Sequence, residues 1–119
     1  MAKILIADDS LVELKILQGI LKTTGHQVTI ARNGEEAEQV AKAFRPDLIF
    51  LDVVMPKKNG FQVCRDLRLN PLFQTTPIIL LTSKSQDSDK FWGKQQGATE
   101  YVTKPYQAEQ ILEILTKYL

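Results

Sequence analysis

Five short apolar runs recur along this chain, each followed by a stretch with helical spacing, and that alternation narrows the possible folds more than any other feature. The runs are KILIA at 3–7, QVTIA at 27–31, LIFL at 48–51, IILL at 78–81 and EYVT at 100–103. Each is strand-length and rich in aliphatic or β-branched residues. After the first run, Leu14, Leu17 and Leu21 mark one face of a helix over 11–23, with Gly25 as its stop. Asn33 is placed to cap a second helix, with Glu36 three residues on, and Ala37, Val40, Ala41 and Phe44 form its inward face. A third helix over 60–69 turns Phe61, Cys64 and Leu67 inward. A fourth spans about 87–96 and ends at Gly97, and a fifth covers about 108–117 with Ile111, Leu112 and Leu115 inward. The fourth has the thinnest apolar stripe, chiefly Phe91 and Trp92. Phe91 is predicted to be core; Trp92 reads equally as a partner contact or as a packing residue.

Strands alternating with helices predict an α/β fold with a parallel sheet covered on both faces. The first, third and fourth runs are nearly all apolar, as central strands are. The second and fifth keep polar positions, as edge strands do. With right-handed crossovers this gives a doubly wound, flavodoxin-like (βα)5 fold with strand order 2-1-3-4-5. No linker, repeat or low-complexity tract interrupts the chain, so residues 1–119 read as a single domain. A hydrophobic content of 44% supports a folded core, and a net charge of +1 creates no field toward nucleic acid or an anionic membrane. Neither is expected as a partner. The single cysteine, Cys64, excludes an internal disulfide and reads as a small buried hydrophobe. Apolar runs fall far short of the roughly 20 residues that span a bilayer, and acidic residues follow the first run where a secretory leader has none. A cytoplasmic protein is expected. His26, after Gly25, reads as solvated.

In such sheets the ligand site lies beyond the carboxyl ends of the strands. Here those ends deliver Asp8 and Asp9, Asp52, Thr82 and Ser83, and Lys104 with Pro105. Three converging carboxylates repel one another unless their pKa values rise or a cation binds. Oxygen ligands without His or Cys favour a hard ion, Mg2+ above all. Lys104 adds a second positive charge and Thr82 a hydroxyl. That set suits phosphoryl transfer to a carboxylate: the cations neutralise the phosphoryl oxygens while the carboxylate attacks in line. Asp52, on a central strand, is the predicted nucleophile, and Asp8 and Asp9 the predicted metal ligands. Lys57 and Lys58 beside this edge read either as attracting an anionic donor or, more simply, as solvated.

The pieces ILIADDS, PDLIFLDVVMPKKNGFQVCRDLR, PIILLTSK and GATEYVTKP resemble CheY-like receiver domains of two-component response regulators across essentially the whole chain. The resemblance implies that Asp52 is phosphorylated by a histidine kinase or phosphotransfer protein. It implies that Asp9, Asp52 and the backbone carbonyl of Val54 ligate Mg2+ directly, with Asp8 acting mainly through water. Thr82 would bond the phosphoryl group and act as the switch hydroxyl, Lys104 would pair with it, and Tyr101 matches the rotating aromatic switch. A cis peptide between Lys104 and Pro105 is implied as well. The fourth helix, fifth strand and fifth helix would form the face offered to a downstream target protein. The expected protein is a monomer without an output domain, and not an enzyme beyond its own phosphorylation and dephosphorylation. FQVCRDLR and FWGKQQGATEYVTKP resemble stand-alone receivers of type IV pilus and phototaxis systems, implying a motility role. Two positions that tune phosphoryl lifetime in the family hold Val54 and Lys84, which offer no acid or amide to position water; slow to moderate dephosphorylation is expected.

Other classes fit less well. A phosphate sink in a phosphorelay would share all these residues. A Mg2+-dependent aspartyl-phosphate phosphatase of the haloacid dehalogenase type needs a carboxylate where Val54 stands. A flavodoxin-like electron carrier needs a phosphate-cradling loop where Asp8 and Asp9 stand. A receiver-like domain that binds without phosphorylation has no need of the acidic set and Lys104.

Overall fold

Alternate residues of a parallel strand face opposite sides of its sheet, so a strand covered on both sides must be apolar throughout. A computed structural model describes all residues, Met1–Leu119, and shows that division directly. The elements are β1 (Lys3–Ala7), α1 (Leu11–Lys22), β2 (Gln27–Ala31), α2 (Gly34–Phe44), β3 (Leu48–Leu51), α3 (Gly60–Leu69), β4 (Ile78–Thr82), α4 (Asp87–Gln95), β5 (Glu100–Thr103) and α5 (Ala108–Tyr118). All pairings are parallel, in the order β2-β1-β3-β4-β5 predicted from the apolar runs. Leu5, Ile49, Leu51, Ile78 and Leu80 face a core closed by α2 and α3, through Ala37, Ala41, Val63, Cys64 and Leu67. Ile4, Ile6, Leu48, Phe50, Ile79 and Leu81 face the opposite core, closed by α1 and α5 through Leu14, Leu17, Leu21, Ile111 and Leu115.

Local chemistry sets the helix starts. The Asn33 side chain accepts from the Glu36 amide at 2.8 Å, as predicted. Glu36 reaches back to the amide of Arg32 at 3.2 Å, one residue before the cap. Asn59 and Gln62 form a reciprocal box at α3, with contacts of 2.9 and 3.0 Å. A short 3-10 turn at Pro71–Phe73, not anticipated from the apolar pattern, buries Phe73 completely.

Several inward faces differ from expectation. Phe91 is not core but 63% exposed, and Trp92 beside it is 52% exposed. The one buried residue of α4 is Gly93. A Cβ there would lie 2.9 Å from both Leu80 and Tyr101, so this helix seats itself through a missing side chain and turns its aromatics outward. In α5, Leu112 is 38% exposed and Ile114 takes the inward place beside Ile111 and Leu115. Val63 is buried in α3, whereas Phe61, Val40 and Phe44 are half-buried. His26 is not simply solvated: its Nδ1 accepts from the Ala2 amide at 3.0 Å. No helix is long and apolar enough to cross a membrane.

Candidate functional site

Backbone hydrogen bonds continue the sheet one step beyond its strands and line up the candidate residues. The Asp8 amide donates to Ala31, Asp52 to Ala7 at 2.9 Å, and Lys104 to Thr82 at 2.8 Å. Parallel register thereby brings Asp8, Asp52, Thr82 and Lys104, drawn from four separate regions of the chain, to one edge. Asp9 joins them: Asp8, Asp9 and Asp52 each place a carboxylate oxygen within 4.8 Å of the others. Asp8 and Asp52 are 7% and 8% exposed. Asp9 faces solvent in an open cleft also lined by Ser10, Val54 and Pro105.

Lys104 relieves much of the repulsion anticipated between these carboxylates. Its Nζ lies 2.7 Å from Asp8 Oδ2, 3.3 Å from Asp52 Oδ2 and 3.7 Å from Glu13 Oε2. Burial pushes this amine down, but the hydrogen bond to Asp8 and the charges of Asp52, Asp8 and Glu13 more than offset it, holding Lys104 above its ordinary range and protonated. The remaining oxygens are bonded to backbone. Asp52 Oδ1 accepts from the Val53 amide at 2.7 Å and from Val54 at 3.4 Å. Asp8 Oδ1 accepts from Ser10 at 3.0 Å. Asp52 is therefore a fixed carboxylate with Oδ1 committed to amides and Oδ2 meeting only the longer contact to the Lys104 amine.

Behind it, Thr82 is fully buried, and its Oγ1 accepts from the Lys84 amide at 3.4 Å. The half-buried Tyr101 donates its hydroxyl to the Lys84 carbonyl at 2.5 Å. Burial, with the charges of Asp89 and Asp52, pushes the Tyr101 hydroxyl up to about 12, so it remains a donor. The expected cis peptide joins Lys104 and Pro105. Sequence reasoning missed two members. Glu13 reaches Lys104 from the first turn of α1; its acidic side chain five residues after Asp8 was the available signal. The Lys84 backbone links Thr82 to Tyr101, and backbone roles leave no residue-type signal. Lys58, read as solvated, instead pairs with Glu38 and Asp66.

Residues 4–116 match the response regulator receiver domain. The chain belongs to this family of CheY-like receivers. It is 43% identical over 119 residues to Protein PilH of Pseudomonas aeruginosa, covering 100% of this chain and 98% of the relative. It aligns with only 45% of the alkaline phosphatase synthesis transcriptional regulatory protein PhoP of Bacillus subtilis, at 41% identity over 109 residues. Among solved structures, Vibrio cholerae chemotaxis protein CheY4 superposes with a TM-score of 0.92 at 35% identity, over 100% of this chain and 99% of that one. The receiver domain of sensor histidine kinase PA1611 from Pseudomonas aeruginosa superposes at 0.91 with 27% identity, over 98% and 96% of the two chains. That structure has a magnesium ion coordinated in its active site cleft. The receiver described here is thus a signalling domain of a two-component system. Its Asp8, Asp9 and Asp52 form an all-oxygen acidic pocket of the kind that suits a hard divalent ion.

Proposed function

We propose that Asp52 accepts a phosphoryl group from a phosphohistidine on a histidine kinase or phosphotransfer protein. The observation that carries this reading is the state of Asp52 itself: a nearly buried carboxylate, oriented by two amides and faced by Lys104. Its Oδ2 attacks phosphorus, an O–P bond forms, and the P–N bond of the donor breaks with the electron pair leaving on the imidazole. Lys104 follows the incoming negative charge, exchanging carboxylate oxygens for phosphoryl oxygens. Thr82 supplies a hydroxyl to the same group. Asp9, Asp52 and the Val54 carbonyl would hold Mg2+, with Asp8 acting through water. When bound, the ion neutralises charge on the phosphoryl oxygens.

Phosphorylation adds about −1.5 to −2 charges. Drawing Thr82 toward them breaks its link to Lys84, which frees Tyr101 to turn inward. The α4-β5-α5 face then changes shape for a downstream protein. The exposure of Phe91 and Trp92 supports this face as the output surface. Likeness to PilH along nearly its full length supports a stand-alone receiver over residues 1–119, acting in pilus motility or phototaxis.

Incubation with Mg2+ and acetyl phosphate, read by intact mass, tests the chemistry. The wild type gains one phosphoryl mass and Asp52→Asn gains none. An unlabelled wild type, or label persisting in Asp52→Asn, overturns the proposal. Capture of partners with and without beryllofluoride tests the output face.

A further inference from the structure

The loop after β3 carries the backbone groups that orient Asp52 and sends Val53 and Met55 into the core, while its outer residues bury little. Val54 is 57% exposed, and Lys57 stands in the left-handed region at φ 71°. Besides those two buried side chains, three features outside the acidic site hold the loop in place. At Gly60, a Cβ would lie 2.1 Å from the Asp52 carbonyl, so the start of α3 can press against the β3 end only without a side chain. At Gly34, a Cβ would lie 2.0 Å from the Lys58 carbonyl, which brings the loop onto the first turn of α2. The third is the Lys58 side chain. Its Nζ is 2.6 Å from Glu38 on α2 and also pairs with Asp66 on α3. The hydrogen bonds it donates to Asp66 and Glu38 hold this amine above its ordinary range. One lysine therefore joins the loop to both helices that flank it.

We infer that Lys58 is a positioning residue for the acceptor site. By tying the loop to Glu38 and Asp66, it fixes the Val53 and Val54 amides on Asp52 Oδ1 and aims the Val54 carbonyl at the metal position. This inference rests on the proposed acceptor function. Lys58 touches neither Asp52 nor an incoming phosphoryl group; it acts through the backbone of residues 53–58. Its partly exposed ion pairs contribute little to global stability, but a small displacement of a metal-orienting group is felt strongly at the metal.

The test compares wild type, Lys58→Met, Lys58→Arg and Glu38→Gln. Mg2+ affinity is measured by calorimetry, labelling by acetyl phosphate is followed against Mg2+ concentration, and urea unfolding gives stability. Expected is a roughly tenfold weaker Mg2+ affinity in Lys58→Met, the low end for groups that orient metal ligands. Labelling of Lys58→Met should need correspondingly more Mg2+ to reach half of its maximal rate, with the unfolding midpoint nearly unchanged and Lys58→Arg close to wild type. Glu38→Gln should lie between. Backbone amide resonances of Val53 and Val54 should shift in Lys58→Met before any Mg2+ is added. Affinity within twofold of wild type in Lys58→Met overturns the inference while leaving the acceptor function standing. Equal losses in Lys58→Met and Lys58→Arg that track a lower unfolding midpoint overturn it in favour of a structural role. A wild type that takes no phosphoryl group overturns the acceptor function and this inference together.

Discussion

Lys104 and Arg68 are packed into opposite ends of the same sheet and meet opposite company. At the carboxyl end, Lys104 is surrounded by charged oxygens of Asp8, Asp52 and Glu13. At the amino end, Arg68 is surrounded by neutral ones. Its Nε donates to Gly97 at 2.9 Å, Nη1 to the carbonyls of Phe73 and Thr76 at 2.6 and 2.7 Å, and Nη2 to Thr99 Oγ1 at 3.2 Å. Burial pushes both cations' pKa values down. Carboxylates reverse that at Lys104, whereas no carboxylate does so at Arg68, which stays lowered. Neutral carbonyls need a cation in one fixed geometry, which the planar guanidinium provides. Carboxylates around a flexible amine form a set that can exchange partners when new negative charge arrives. On the proposed function, one end is built to stay and the other to be rearranged.

Substitutions at the two ends should separate these roles. Asp52→Asn has the largest effect, abolishing the phosphoryl label in intact mass while leaving circular dichroism native. Lys104→Ala should slow labelling roughly 100- to 1,000-fold, the scale of losing one transition-state charge partner, and remain folded. Arg68→Ala should do the reverse. It strands the carbonyls of Phe73, Thr76 and Gly97, at about 1 kcal/mol each, so urea unfolding should show roughly 3 kcal/mol lost while the folded fraction still labels. Slow labelling in folded Arg68→Ala, or wild-type labelling in Lys104→Ala, would break the division. The smallest effect concerns Cys64, whose Sγ donates to Gln96 beside the Arg68 clamp. Burial raises its thiol from 9.0 to about 11. The folded state keeps a proton that the unfolded state releases, so this contribution is present below pH 9 and lost as pH rises toward 11. Wild type should lose roughly 2 kcal/mol more stability than Cys64→Ala across that window; identical slopes would show that the thiol does not titrate as its burial demands.

The two ends also differed in how far they could be read from residues alone. Asp8, Asp9, Asp52, Thr82 and Lys104 were legible because each directly follows an apolar run, and parallel strands bring such positions to one edge. Arg68 was not, because its partners are backbone carbonyls from separate segments, and a carbonyl looks the same in every residue. Phe91 was misread for a related reason. Helical spacing marks an apolar side chain as a candidate for burial, but α4 packs through Gly93, whose lack of a side chain lets Leu80 and Tyr101 approach. Leu112 and Ile114 were exchanged because both lie near the margin of the α5 apolar stripe, and only the seating of the helix selects between them.

By itself, the amino-acid sequence determined the strand number, their order and the edge where Asp8, Asp9, Asp52, Thr82 and Lys104 gather. Those follow from apolar continuity and from the period of side chains along a strand, which are local properties. Tertiary structure decided which charges meet: Lys104 with Asp8 rather than Asp52 alone, Lys58 with two helices, and Arg68 with carbonyls. Pairing depends on distances of a few ångströms between residues as many as 96 positions apart, and only the packed chain sets them.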